Sequence, residues 1–200
     1  MALGAYAICS LTEAKNFLGF KDEYTDLDSY IESLIDAASL AIEARIENKV
    51  ADQTVSNEIL SGTGEDILKP RYSPIVSVTT LQYRTAPDED WQTLESTAAY
   101  ILVDPLWDYI MLYDTMFPVG TRNIRMTYVA GYETIPGDLW LVCIEKVADM
   151  FLQSKKGAGR FGITSTTNQG QSTSYKDFTV EHERILRRYA KKTNSLSAYR

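Results

Sequence analysis

Between Arg125 and Phe151 the chain reads RMTYVAGYETIPGDLWLVCIEKVADMF, and its hydrophobic period changes within that stretch. Ile124, Met126 and Tyr128 alternate with Arg125, Thr127 and Val129, the period of a strand with one buried face. After Gly131-Tyr132 and Pro136 the apolar positions become Leu139, Trp140, Cys143, Ile144, Val147, Ala148 and Phe151, the three-and-four spacing of a helix. Pro136 suits a first helical turn, and Asp138 adds negative charge where the helix dipole favours it. A strand handed directly to a long apolar helix requires a fold in which sheet and helices are segregated.

The flanking segments fix that order. Ser10-Leu11-Thr12-Glu13 has the capping-box pattern and Gly19 the stop signal of a short helix. A second helix begins near Asp26, with Leu27, Tyr30, Ile31, Leu34, Ile35, Ala38, Ala41, Ile42 and Ile46 on one stripe over about six turns. Asp28, Glu32, Asp36, Glu43 and Glu47 fall off the stripe and are expected in solvent. From Val55 onward short strands are expected at Glu58–Gly62, Ile67–Leu68, Ile75–Arg84, Trp91–Leu94, Tyr100–Val103, Tyr109–Tyr113 and Asn123–Val129. Each is bounded by Asp, Pro, Gly or Thr clusters. Strands so short and so spaced indicate an antiparallel meander or small barrel.

Residues 155–175 offer little that could enter a core and are expected as a flexible loop. A last helix starts near Thr179, with Glu181 and Glu183 early and Arg187, Arg188, Lys191 and Lys192 late, the order the dipole favours. The fold class is therefore α+β: a helical bundle with an inserted antiparallel β subdomain and a tethered C-terminal helix. The expected parts are N-terminal helices in 1–54, the β subdomain in 55–132, a central helix in 133–154, the loop in 155–175 and a C-terminal docking segment in 176–200.

Charge is uneven. The chain carries a net −7; residues 1–60 hold 4 basic and 11 acidic side chains, while residues 181–200 hold 6 and 2. An acidic body with a basic tip argues against a general nucleic-acid-binding surface, which needs a positive face. The longest clean apolar run, Leu139–Ile144, falls far short of the roughly 20 residues that span a bilayer. The opening MALGAYAICSL lacks the basic region of a signal peptide, so the product is expected to stay in a cytoplasm. Cys9 and Cys143 could pair, but a reduced, buried thiol on an apolar helix face suits Cys143 better.

The search for chemistry returns little. His182 is the one histidine and has no metal-ligand spacing around it, so a solvated first-turn residue is expected. No G-x-S-x-G, CxxC or HExxH is present. Lys155-Lys156-Gly157-Ala158-Gly159-Arg160 has the composition of a phosphate loop but follows a helix instead of a strand, and is read as a connector. Asp104 and Asp108 could in principle perform acid–base work, but solvated strand ends account for them. No catalytic residue, cofactor or metal is expected.

The C-terminal segment stands apart. Phe178, Ile185, Leu186 and Tyr189 form an apolar stripe beside a basic face carrying Arg187, Arg188, Lys191 and Lys192. Two destinations suit it: folding back on its own body, or docking on a partner protein or second subunit by helix-in-groove recognition. Arg160 and Phe161, ahead of it, join the candidate partner-binding set. The apolar face is too short to favour a membrane surface.

Taken in order, several segments resemble the head–tail connector proteins of long-tailed bacteriophages, also called adaptor or head-completion proteins. They are Leu11-Thr12-Glu13-Ala14-Lys15-Asn16-Phe17-Leu18 and the helix Leu27–Asn48 with its Ala-Ala-Ser-Leu-Ala-Ile-Glu centre. Tyr72-Ser73-Pro74-Ile75-Val76-Ser77-Val78 follows, then Met126-Thr127-Tyr128-Val129-Ala130-Gly131-Tyr132 and the helix after Pro136. The resemblance implies a non-enzymatic virion subunit at the neck, made in the host cytoplasm. Such subunits form a homo-oligomeric ring, matched to a twelve-fold portal protein, beneath which they assemble after DNA packaging. DNA passes through the channel without sequence-specific binding, and the ring offers a platform to the next neck or tail component. The resemblance also implies that the C-terminal segment reaches the portal. The strand block Val55–Val129 is larger than in the shortest, almost all-helical members. The alternative from the residues alone is a small enzyme or ligand-binding domain with its site in the β subdomain; a third is an adaptor from a cellular host. The 13 tyrosines and 3 tryptophans are available as interface anchors.

Overall fold

The computed structural model describes residues 3–94, 100–102, 109–112, 115–154, 165–168, 171–174 and 178–191, with the backbone alone for 100–102, 165–168 and 171–174. The chain divides into two units, one made of Met1–Glu47 with Ile135–Arg200 and the other of Asn48–Thr134.

In the first unit α1 spans Leu11–Leu18. Its capping box closes as the sequence requires: the Ser10 amide donates to Glu13 Oε2 at 2.7 Å, and the Glu13 amide to Ser10 Oγ at 3.3 Å. Those Ser10 hydrogen bonds hold the Glu13 carboxyl below the usual glutamate range. Gly19 ends the helix with φ 80°, a left-handed conformation that glycine adopts without a Cβ penalty. α2 spans Asp28–Ile46, and its stripe Ile31, Leu34, Ile35, Ala38, Ile42 and Ile46 is buried. Glu43, expected in solvent, is instead buried beside that stripe, because α2 meets neighbours over a wider arc than the apolar residues mark. Lys15 of α1 is also buried; its Nζ pairs with Asp28 Oδ1 at 2.8 Å and donates to the Asp22 carbonyl at 2.8 Å.

The β unit begins with β1, Gln53–Gly62, then β2, Ile67–Leu68, β3, Ile75–Tyr83, and β4, Gln92–Thr93. β5, Tyr100–Leu102, β6, Ile110–Leu112, and β7, Gly120–Ala130, complete it. All pairings between these strands are antiparallel. They form one sheet in the order β1-β7-β3-β4 and a second in the order β2-β6-β5. The long β7 is central because alternation along it buries Ile124, Met126, Tyr128 and Ala130. Leu68, Ile110 and Leu112 from the second sheet join the same core, with Ile75, Leu81 and Phe117. A ladder in chain order would be a meander; here β7 lies between β1 and β3, and the two sheets share one core. Gly131 ends β7 at φ 120°, where a Cβ would stand 2.3 Å from the Ala51 carbonyl oxygen.

The chain returns to the helical unit in α3, Gly137–Gln153, which buries Leu139, Val142, Cys143, Ile144, Val147 and Phe151 against α1 and α2. Residues 165–168 and 171–174 form β8 and β9, an antiparallel hairpin. The segment expected as a loop over 155–175 thus contains paired strands at 165–168 and 171–174, where threonines at 166, 167 and 173 favour extended backbone. Finally α4, Val180–Tyr189, starts at a Thr179 cap whose hydroxyl accepts from the His182 amide at 3.1 Å.

Candidate functional site

Within the helical unit α4 lies back on α2 and α3, and its apolar stripe explains why. Ile185 and Leu186 are buried in the unit's own core. Polar contacts hold the helix along its length. Arg45 of α2 grips Glu183, with Nε donating to Oε1 at 2.9 Å and Nη2 donating to Oε2. That bidentate hydrogen bond holds the Glu183 carboxyl below its usual range and raises the Arg45 guanidinium. On the α3 side, His182 Nε2 donates to Glu145 Oε2 at 2.6 Å. Tyr189 donates its hydroxyl proton to Asp138 Oδ1 at 2.6 Å, and Arg188 stands 3.3 Å from Asp138 Oδ2. At the end of the helix the Lys191 amide donates to the Ile46 carbonyl at 3.1 Å, joining the ends of α4 and α2.

His182 therefore departs from the solvated residue expected. It is 8% exposed, because folding α4 onto α3 covers the first turn, and its ring meets Phe178 edge-on at 6.3 Å. Its Nδ1 is buried with no hydrogen-bond partner among the described residues.

Of the ten residues singled out from sequence, Arg160, Phe161 and Lys192 lie outside the described residues, as do Asp104 and Asp108. The rest are brought together on α4 and its entry. Ile185 and Leu186 are turned inward, so they hold the helix to its own body and present nothing outward. Phe178, Arg187, Arg188, Tyr189 and Lys191 surround the outer side. The Phe178 ring carries the Lys146 ammonium 5.2 Å above it and borders an open groove with Val180, Glu183, Arg184 and Arg187. A second groove beside it is lined by Ala41, Ala44, Arg45, Lys146, Phe178 and Glu183.

Val180 and Arg184 were missed in the sequence reading. Val180 is 75% exposed, and among the described residues Arg184 pairs with Glu181 of its own helix. The signal was present: Val180, Arg184 and Arg187 repeat at i, i+4 and i+7, the spacing of one helical face.

The opposite charge collects in the link between α1 and α2. Asp22, Glu23 and Asp26 are exposed there. Tyr24 is 45% exposed and stacks on Phe20 at 5.9 Å, while Phe20 meets Phe151 edge-on at 5.5 Å. Phe17 of α1 is also half exposed.

Beneath this surface the two thiols meet: Cys9 Sγ lies 3.9 Å from Cys143 Sγ, both buried and both free. The contact with Cys143 and burial push the Cys9 thiol up, so it stays protonated. In the β unit, Tyr128 donates to Glu58 Oε2 at 2.6 Å and accepts from the Tyr72 amide at 3.1 Å. Burial and that carboxylate push its phenol up. The Tyr128 hydrogen bonds tie β7 to β1 and to the turn that precedes β3. Among the described residues no group of three His, Cys, Asp or Glu side chains is placed to hold a metal ion.

A helical unit with a separate antiparallel β unit inserted in it defines the class as α+β. The model of one family, described as head completion protein, matches residues 7–189. The chain belongs to the head completion protein family, and so to the structural components of a virion's neck, where head and tail join. No curated protein sequence matched. Among solved structures, the chain is similar to one in the neck of an empty GTA particle computed with C6 symmetry, at TM-score 0.64 and 18% identity, covering 98% of this chain and 95% of that one. It is also similar to a chain in the virion of a native gene transfer agent particle, at TM-score 0.61 and 17% identity over 98% and 95% of the two chains. A third, from the neck of a native GTA particle computed with C12 symmetry, aligns at TM-score 0.58 and 18% identity over 98% and 94%. At these identities the likeness is one of fold.

Proposed function

We propose that this chain is the repeating subunit of a head–tail connector ring that joins the portal protein after DNA is packaged, extends the DNA channel and receives the next neck or tail component. The observation that carries the reading is the family match across nearly the whole chain, residues 7–189. The C12 neck of a similar fold is consistent with twelve copies. An overall charge of −7 suits a conduit, since an acidic wall repels phosphate and lets the duplex slide, whereas a basic wall would hold it.

Portal docking falls to the segment that follows α4 and opens with the basic residues Lys191 and Lys192. Because Ile185 and Leu186 belong to the unit's core, removing all of 176–200 would damage the fold as well as the docking segment. A shorter deletion, 192–200, separates the two. Light scattering on the purified chain with its cognate portal should show a stoichiometric complex for the full chain and a weakened one for the deletion. A full chain indifferent to the portal would contradict the reading.

A further inference from the structure

A closed ring of identical subunits requires two different surfaces on each copy, so that one patch meets its complement on the next. The helical unit carries two such surfaces of opposite charge. The first is the α1–α2 link, where Asp22, Glu23 and Asp26 are exposed and none of the three carboxylates has a cationic partner among the described residues. Tyr24 stands among them, its ring held by Phe20, which is itself wedged against Phe151. An aromatic fixed in this way loses little freedom on binding, which favours it as an anchor. The second surface is the outer face of α4, where Val180 is 75% exposed beside Arg184 and Arg187 over the Phe178 ring. Arg187 acts through space on Glu183, one turn earlier, a carboxylate that Arg45 already holds. Among the described residues Arg184 holds the exposed carboxylate of Glu181, a pairing worth little and easily exchanged.

We propose that the α1–α2 link of one copy docks on the α4 face of the next, with Tyr24 against Val180 and with Asp22, Glu23 and Asp26 meeting Arg184 and Arg187. The occupant is a second copy of this chain because complementary charge and complementary apolar edges are both present on one molecule, on separate elements. The match is heterologous, so it propagates head to tail. This inference rests on the connector reading above and names the contact that would close its ring.

Charge reversal tests it. One variant carries Asp22→Lys and Asp26→Lys, a second Arg184→Glu and Arg187→Glu, and both sets lie on exposed positions where circular dichroism can confirm an unchanged fold. Each is mixed with the cognate portal, and the bound mass is read by light scattering at low salt. Each variant alone should lose the ring and leave single bound copies. An equimolar mixture should restore it, because reversed and native patches then alternate around the ring. Full rings from either variant alone, or no recovery in the mixture, would overturn the proposed contact while leaving the connector reading intact. Wild-type chain that neither binds the portal nor forms a ring would overturn the connector reading, and this contact with it.

Discussion

The two units solve the same problem by opposite means. In the β unit the decisive polar groups are inside: Tyr128 is fully buried, and its hydroxyl joins Glu58 and the Tyr72 amide under the sheet. In the helical unit two of the ion pairs that hold the last element reach the surface, where Arg45 meets Glu183 and Arg188 meets Asp138. Buried polar contacts are costly to break because a lone partner stays desolvated. Exposed ones exchange with water at little cost. The β unit is thereby built as a fixed body, and α4 as an element whose outer contacts can be traded for those of a neighbour.

Mutations can break that contrast from its strong end to its weak one. Met126→Ala in β7 should cost about 2–5 kcal/mol by loss of burial and creation of a cavity, read by urea unfolding. Tyr128→Phe should cost about 1 kcal/mol, because Glu58 and the Tyr72 amide each lose a hydrogen-bond partner in a half-buried site. Thr179→Ala removes the α4 cap and should cost about 1 kcal/mol. Arg45→Ala should leave the unfolding midpoint almost unmoved while raising hydrogen exchange in α4, since its ion pair is exposed.

Acid should act on the same weak contact. Glu183 has its folded pKa lowered below the ordinary 4.5, so its contribution is present above that value and lost as pH falls through the lowered one. Protection of the α4 amides, taken relative to the intrinsic base-catalysed exchange rate, should fall slightly over that range, because solvent screens the pair. A loss of protection on going toward alkaline pH instead would contradict the assignment. The thiols give a sharper check on the body beneath: Cys9 and Cys143, both under 5% exposed, should resist alkylation until the unit unfolds.

How much of this was legible in the sequence depended on period. β2 was read at its observed bounds and β3 and β6 to within a residue at each end, because alternation and turn residues are local properties. The α2 stripe likewise emerged from spacing alone. Burial that depends on a distant partner was invisible: Glu43 and His182 read as solvent-facing because nothing local says that another helix covers them. The same holds for β7 inside its sheet, a matter of pairing with β1 from Gln53↔Ala130 to Gly62↔Gly120, far apart in sequence. At the candidate site, α4 was found by its charge order, and its fold-back by its apolar stripe. Val180 and Arg184 were passed over because an exposed helical face draws notice only when the inward face is already assigned.

The central claim is that many copies of this chain form a ring on a portal. Electron microscopy of the purified chain bound to its cognate portal tests it most directly. The account predicts class averages with an added ring in register with the portal's symmetry, and its loss when Arg184 and Arg187 are replaced by glutamate. A portal that remains bare in the presence of folded, full-length chain would contradict it.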